Sequence, residues 1–165
     1  MLIIADRLHK LSFRELMEIY VEGNLEKARD EYYDAPEHLG LQYAEQDFYQ
    51  YLKECFFQTP GAKYAVWEEG GRYICALRWE PYEDGVLVSA LETRPAFRRM
   101  GYATRLMNEV ISSLEGNIYS HVNKQNTASL SVHKKCGFSV ISDSARYLDG
   151  SFNTRAYTLC RSNTK

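Results

Sequence analysis

The segment RPAFRRMGYATRLM, residues 94–107, decides the fold, because it joins an apolar strand pattern to a strongly periodic helix pattern. The chain passes from the predicted strand 86–93 through Pro95 into a turn, and a helix follows. The first backbone N–H groups of a helix have no partners within it, so they point at whatever lies beyond the end of the strand. Together with the partial positive charge of the helix N-terminus they form a site for an anion.

The residues around this helix start indicate which anion it binds. Gly101 and Ala103 leave room for a phosphate, and Arg98 and Arg99 attract one. A P-loop would need Lys followed by Ser or Thr directly after its last glycine, and Tyr102 follows here, so nucleotide hydrolysis is disfavoured. A dinucleotide-binding turn would need three glycines in the first βα unit, whereas this segment has one glycine and lies late in the chain. The segment therefore predicts a pyrophosphate held by main-chain amides, without a metal.

The periodicity of apolar residues predicts the order β αα βββ α β α ββ. Ser12 and Glu15 form a capping box at the first helix, and Gly70-Gly71 and Asp84-Gly85 are turns that close hairpins. The predicted strands cover 1–5, 62–69, 72–80, 86–93, 117–122, 138–142 and 153–160, and the predicted helices cover 12–27, 42–57, 103–114 and 127–136. The pattern predicts an α/β (α+β) fold, a mixed and mostly antiparallel central sheet with helices on both faces, in one domain, 1–165.

Composition excludes several classes of protein. The 165 residues carry a net charge of −2, which argues against binding to nucleic acid. No apolar run approaches the length of a membrane span and no secretory signal is present, so we expect a cytoplasmic protein. The spacing of the four cysteines forms no metal or redox pair, and we expect reduced core thiols at Cys55, Cys75, Cys136 and Cys160.

Two segments resemble the GNAT superfamily of acyl-CoA-dependent N-acetyltransferases. RRMGYA, residues 98–103, fits the superfamily signature R/Q-x-x-G-x-G/A, within a strand, proline, loop and helix arrangement that is also similar. NKQNTASLSVHKKCGF, residues 123–138, resembles the second conserved element, an Asn followed seven residues later by an acid-bearing side chain and then Gly-Phe. The resemblance covers residues 86–141, and it implies a GNAT-like fold.

The resemblance also implies which residues bind acetyl-CoA. Leu91 and Thr93 would pair their backbones with the pantetheine arm, as an added strand would. Asn126 would contact the cofactor near the pantetheine, and Ser129 stands where the pattern usually has Ala. The main-chain N–H groups expected to hold the pyrophosphate belong to Arg98, Arg99, Met100, Gly101, Tyr102, Ala103 and Thr104.

Acetyl transfer requires an uncharged amine and a proton for the departing thiolate. No serine or cysteine is placed as an activated nucleophile, so we expect direct attack in a ternary complex. His133 stands where the family commonly has Tyr, and we interpret it either as the general acid or as a histidine that only suits the end of its helix. For the base, we expect a water relayed by Ser89 and a nearby acid. Glu92 would lie on the same face of the strand as Ser89 only if a bulge interrupts the strand.

Three functions remain open from the sequence. The first is an N-acetyltransferase whose acceptor is a primary amine of a small molecule or a peptide. The second is a catalytically idle GNAT-like domain that binds acyl-CoA or a protein, and the third is a binder of another phosphate ligand. The acids and aromatics of residues 30–52 would either attract a cationic amine or simply cover the sheet. Exposed edge strands would allow a homodimer.

Overall fold

The computed structural model describes residues 1–163. Its strands are β1 (Leu2–Ala5), β2 (Lys63–Glu69), β3 (Arg72–Tyr82), β4 (Gly85–Thr93), β5 (Gly116–Asn123), β6 (Ser139–Ser142), β7 (Ala145–Arg146), β8 (Phe152–Asn153) and β9 (Ala156–Asn163). Its α-helices are α1 (Phe13–Ile19), α2 (Val21–Glu31), α3 (Glu37–Glu54), α4 (Tyr102–Ser112) and α5 (Thr127–Lys135). The mixed, mostly antiparallel sheet predicted from the sequence is confirmed.

Seven strands form the main sheet, in the order β1-β2-β3-β4-β5-β9-β6. All neighbours are antiparallel except β4 and β5, which run parallel because α4 lies between them in the chain. The strands β7 and β8 form a separate two-stranded sheet. Sequence analysis missed this pair, because two-residue strands are too short to carry a periodic pattern.

Strands β4 and β5 pair over four residues only, from Gly85 opposite Asn117 to Val88 opposite Ser120. Beyond that point the two strands separate, although each continues to pair with its outer neighbour. At the closed end they lie very close together, since a Cβ added to Gly85 would lie 1.8 Å from the Asn117 carbonyl oxygen. The sheet is therefore closed at one end of this strand pair and open at the other.

Each face of the sheet has its own apolar core. The apolar stripe of α4, with Leu106, Met107 and Val110 at helical spacing, packs with Leu77 and Val88 on what we call the α4 face. On the opposite face, which we call the N-terminal face, Leu16 and Ile19 of α1 and Leu52 of α3 pack with Tyr64, Val66 and Ala76 of the sheet. Within residues 1–163, no helix is long and apolar enough to cross a membrane.

A β-bulge interrupts β4 at its centre. Arg78 pairs with Ser89 and Ala76 pairs with Glu92, so that the two residues Ala90 and Leu91 lie opposite one residue of β3. Ala90 has a φ of 55°, which is in the left-handed region. Because opposite residues of an antiparallel pair share a face, the extra residue places Glu92 on the same face as Ser89. The condition that the sequence sets for Glu92 is thus met.

Three local predictions need correction. The helix predicted over 12–27 is two helices, which meet at the buried Tyr20 (φ −96°, ψ 16°), although its capping box is present, with Ser12 Oγ accepting from the Glu15 amide. The next helix begins at Glu37, directly after Pro36, instead of at 42. All four cysteines are free thiols, but Cys55 is exposed at the end of α3 and is not a core residue.

The closed end of the β4–β5 pair generates a stability prediction. We expect Gly85→Ala to lower the free energy of unfolding by about 3 kcal/mol or more, because backbone lies where the new methyl group would be. Urea denaturation would measure the change. The control is Gly23→Ala in α2, where an added Cβ meets nothing within 4 Å and we expect a gain of about 0.5–1 kcal/mol. A neutral Gly85→Ala would contradict the tight approach of the two strands.

Candidate active site

A groove of about 620 Å³ opens where β4 and β5 separate. Its walls come from the second half of β4, the loop before α4, the first turn of α4, and α5. The lining residues are Leu91, Glu92, Thr93, Phe97, Arg98, Arg99, Gly101, Tyr102, Ala103, Thr104, Asn126, Ala128, Ser129, Val132 and Lys135. The groove therefore extends from the separating strands to the start of α4.

Most residues that the sequence assigns to cofactor binding lie together in this groove. The exception is Met100, which is 63% exposed and does not line it. Four lining residues were not predicted from the sequence, and the packing of the loop and of α5 brings them to the groove walls: Phe97, Ala128, Val132 and Lys135. Of the three proposed catalytic residues, only Glu92 lines the groove; Ser89 and His133 lie outside its lining.

The start of α4 has the open geometry that an anion site needs. Gly101 is its N-cap residue, with a φ of 83°, and within residues 1–163 no side chain caps the helix. A Cβ added to Gly101 would meet nothing within 4 Å, so this glycine is required for its backbone conformation, whereas the space around it is already open. The first-turn amides thus face the groove without competition from a capping side chain.

Two arginines in the segment before α4, Arg94 and Arg98, contact the N-terminal helices. Arg98 donates two hydrogen bonds to Glu22 of α2, at 3.0 and 2.8 Å, which hold the pKa of Glu22 below its usual value. Arg94 pairs with Glu15 of α1 at 3.0 Å. The guanidinium of Arg98 is therefore already paired, so in this conformation an anion would be held by the backbone amides and by Arg99, which also lines the groove.

The Glu92 side chain lines the groove. Its Oε1 accepts a hydrogen bond from the Thr93 amide at 3.3 Å and lies 3.4 Å from Arg98 Nη2. Burial raises the pKa of Glu92, while the positive charge of Arg98 opposes that shift. The carboxylate therefore covers a backbone donor that the sequence assigns to the pantetheine arm.

His133 lies behind the groove wall and is 2% exposed. Its Nδ1 lies 2.7 Å from the Ser129 carbonyl oxygen, which can only accept, so this nitrogen carries the proton of the neutral ring. Its Nε2 then accepts from Ser120 Oγ at 2.8 Å. Burial also lowers the pKa of His133. Its role as general acid stays a prediction, and this geometry does not favour it, because no ring N–H is free for a thiolate.

His121 is the titratable group that sequence reasoning missed. It follows Ser120, the last β5 residue paired with β4, and strand alternation turns it to the N-terminal face. The ring is half-buried between Tyr82 and Tyr147, with edge contacts at 5.5 and 5.2 Å, and burial lowers its pKa. Its position in the alternating strand NIYSHV, opposite in phase to the apolar residues, was a signal available in the sequence.

The contacts of His121 leave one ring nitrogen available. The Tyr82 hydroxyl donates to the Arg146 carbonyl, so towards His121 Nε2, 3.5 Å away, it can act only as an acceptor. This arrangement favours the proton on Nε2 and leaves Nδ1 as a base. Within residues 1–163, no group of three or more His, Cys, Asp or Glu side chains is arranged to hold a metal ion.

Comparison with known proteins gives one family match. The family described as "Acetyltransferase (GNAT) family" matches residues 15–138. This range includes the N-terminal helices, the bulged strand and the groove. No curated protein matches the sequence.

Solved structures with similar folds share little sequence with this chain. Aminoglycoside 6'-acetyltransferase type Ii is 12% identical, with 98% of this chain and 96% of that chain covered and a TM-score of 0.64. PaiA N-acetyltransferase from Thermoplasma acidophilum, in complex with coenzyme A, is 13% identical over 98% and 99%, with a TM-score of 0.60. YncA from Salmonella typhimurium, with its cofactor acetyl-CoA, is 17% identical over 100% and 95%, also at 0.60. At these identities the likeness concerns the fold.

The buried histidine generates a prediction about pH. Because the folded pKa of His133 is depressed, the unfolded chain binds the extra proton first, and stability falls as the pH drops below about 6.5. His133→Phe cannot titrate, and it should lose about 1–3 kcal/mol at pH 7.5 because Ser120 and Ser129 lose a hydrogen-bond partner.

The difference between wild type and His133→Phe should therefore shrink from pH 7.5 to pH 5. Urea denaturation across this range would measure it, with the exposed His38→Gln as the control. His121 contributes to the pH dependence of both proteins and cancels in the difference. A difference that stays constant with pH would contradict a neutral, buried His133.

Proposed function

The chain belongs to the GNAT family of acetyltransferases, and from that premise we propose that it transfers the acetyl group of acetyl-CoA to a primary amine of a small molecule or a peptide. The observation that carries the proposal is the groove itself, which joins the uncapped start of α4 to the point where β4 and β5 separate. A diphosphate suits the first feature and an extended pantetheine arm suits the second.

We propose that acetyl-CoA lies with its pyrophosphate on the amides of residues 98–104 and with its pantetheine along Leu91 and Thr93. Asn126 and Ser129 line the opposite wall, on α5. Two similar structures support this choice of cofactor, since PaiA was solved with coenzyme A and YncA with acetyl-CoA. Pairing with Thr93 requires Glu92 to release the Thr93 amide.

His121 is the base in this proposal. An alkyl amine is overwhelmingly protonated at neutral pH, so a group near the thioester must accept a proton. Burial keeps His121 uncharged, and β5 places it at the opening between the strands, on the face that the N-terminal helices cover. The neutral amine attacks the thioester carbon, and the C–S bond breaks as the amide forms. Of the two protons that the ammonium form of the amine loses, the imidazolium returns one to the thiolate and the other passes to solvent.

The three catalytic residues predicted from the sequence have smaller roles in this proposal. Ser89 lies on the same face as His121, so it remains a candidate for orienting a water or the amine. Glu92 is not the base in this proposal, because its carboxylate is bound to Thr93 and Arg98 on the cofactor side of the groove. His133 as general acid stays a prediction, and His133→Phe tests it, because an unchanged maximal rate would exclude the role.

Other expectations from the sequence are part of this proposal. Residues 1–165 act as one domain in the cytoplasm, without a metal, and a homodimer forms through the sheet edges. The exposed Val140 and Ile141 on the edge strand β6 support pairing between subunits.

Turnover and binding together test the proposed function. We expect acetyl-CoA, but not ATP or NAD, to raise the melting temperature, and a panel of primary amines to release coenzyme A faster than hydrolysis does. Thermal shift and a thiol-release assay would measure the two. Binding without turnover on any amine would favour the idle acyl-CoA-binding domain, which the paired Glu92 and the buried His133 make a specific rival.

The base has its own prediction. We expect His121→Asn to lower kcat/KM for the amine by about 10²- to 10⁴-fold, the range for general base catalysis, while the affinity for acetyl-CoA stays near that of wild type. In the wild type, kcat/KM should fall more steeply with decreasing pH than protonation of the amine alone predicts, at a pH lower than 6.5, because burial lowers the pKa of His121 and the base becomes charged only there. Exposed His9→Asn is the control. An intact rate in His121→Asn would contradict the assignment.

A further inference from the structure

A chain of buried hydroxyl groups ends at the β4 bulge. The Tyr64 hydroxyl donates to the Tyr20 hydroxyl at 2.7 Å, and the Tyr20 hydroxyl donates to the Ala90 carbonyl oxygen at 2.7 Å. Tyr64 is fully buried and Tyr20 is 9% exposed. A carbonyl oxygen can only accept, so the direction of both hydrogen bonds is fixed from the Ala90 end.

Arg78 reinforces this direction. Its guanidinium lies against four aromatic rings, at 5.0 to 6.0 Å from the centroids of Phe48, Tyr51, Phe56 and Tyr64. Its positive charge favours an arrangement in which the Tyr64 hydroxyl oxygen faces the guanidinium and the proton points away, towards Tyr20. Hydrogen bonds that run in one direction polarise each other, so the bond to Ala90 is the strengthened end of the series.

Ala90 needs such a partner because its backbone is strained. A residue with a Cβ at a φ of 55° costs roughly 1–2 kcal/mol relative to the right-handed region. The carbonyl of this residue also has no regular place in the β3–β4 ladder, since the bulge leaves one residue unpaired. The Tyr20 hydroxyl satisfies this carbonyl from across the N-terminal face.

The Tyr20 hydroxyl is not needed to fill space. The ring packs against Phe48 with centroids 5.1 Å apart, a contact that Phe would make equally well. Tyr20 is also the residue at which α1 ends and α2 begins. The hydroxyl therefore joins the junction of the N-terminal helices to the strand that lines the groove.

We propose that Tyr20, held by Tyr64 and Arg78, is a positioning residue that fixes the β4 bulge and thereby aims the backbone of residues 91–93 at the acyl end of the cofactor. The inference rests on the proposed function. Acetyl transfer needs an N–H group that is already oriented towards the thioester oxygen, and misplacement by about 1 Å can cost about 100-fold in rate. The pyrophosphate end of the groove lies on a different element and is independent of the bulge.

The test is Tyr20→Phe. We expect kcat to fall about 10- to 100-fold while the Kd of acetyl-CoA changes less than about threefold, because the lost contact acts on the reacting end only. Adding Ala90→Gly should restore at least about a third of the lost rate on a logarithmic scale, since glycine holds the bulge without strain. Tyr73→Phe removes a buried hydroxyl on the same face of the sheet, which accepts from the Ser12 amide, and serves as the matched control with an unchanged kcat.

Hydrogen exchange gives a readout that does not need turnover. Amides of residues 90–93 should exchange about tenfold faster in Tyr20→Phe than in wild type, and Tyr64→Phe should show the same change to a smaller extent. Tyr64→Phe also replaces Tyr20→Phe if that variant does not fold. If wild type acetylates no amine, the proposed function fails, and the exchange rates still decide this inference.

Three results would overturn the proposal. The first is an unchanged kcat in Tyr20→Phe together with a lower melting temperature, which would make the hydroxyl a matter of stability alone. The second is a loss of rate that Ala90→Gly does not restore. The third is unchanged exchange at residues 90–93.

Discussion

The structure depends on how few residues hold β4 and β5 together. The parallel strands β4 and β5 form only four residue pairs at one end, and then they separate although both strands continue. Each strand remains bound to its outer neighbour, so the separation costs the sheet only the bonds along one seam. The groove is therefore a property of backbone pairing, and side chains only line it.

Backbone control of the groove accounts for the comparisons. Folds with TM-scores of 0.60 to 0.64 occur at 12% to 17% identity, which is expected when the shape of a site is set by strand register and by one helix start. Side chains along the walls can then change without loss of the groove. In the proposed function, the acceptor lies on the side formed by the N-terminal helices and the residues around His121.

The sequence predicted the strand and helix order, because turns such as Gly70-Gly71 and the stripe of α4 are local signals. It also predicted the start of α4 to within one residue, at 103 instead of 102, and most of the groove lining, because that site depends on the backbone at a single junction. Tertiary contacts decided the rest. The helix break lies at Tyr20, whose hydroxyl bonds to a carbonyl 70 residues away, and the orientation of Glu92 depends on a bulge. His133 points inward because its Nδ1–H donates to the Ser129 carbonyl and its Nε2 accepts from the Ser120 hydroxyl.

The hydrogen bond between the Thr93 amide and the carboxylate of Glu92 has a thermodynamic consequence. An incoming ligand that pairs with this amide exchanges one hydrogen bond for another, and so the net gain from that contact is small. Affinity then has to come from the opposite end of the ligand and from its buried surface. The released carboxylate would lose one of its two hydrogen-bond partners and would stand as a negative charge beside the occupied groove. A cationic second ligand would be attracted there only after the first had bound.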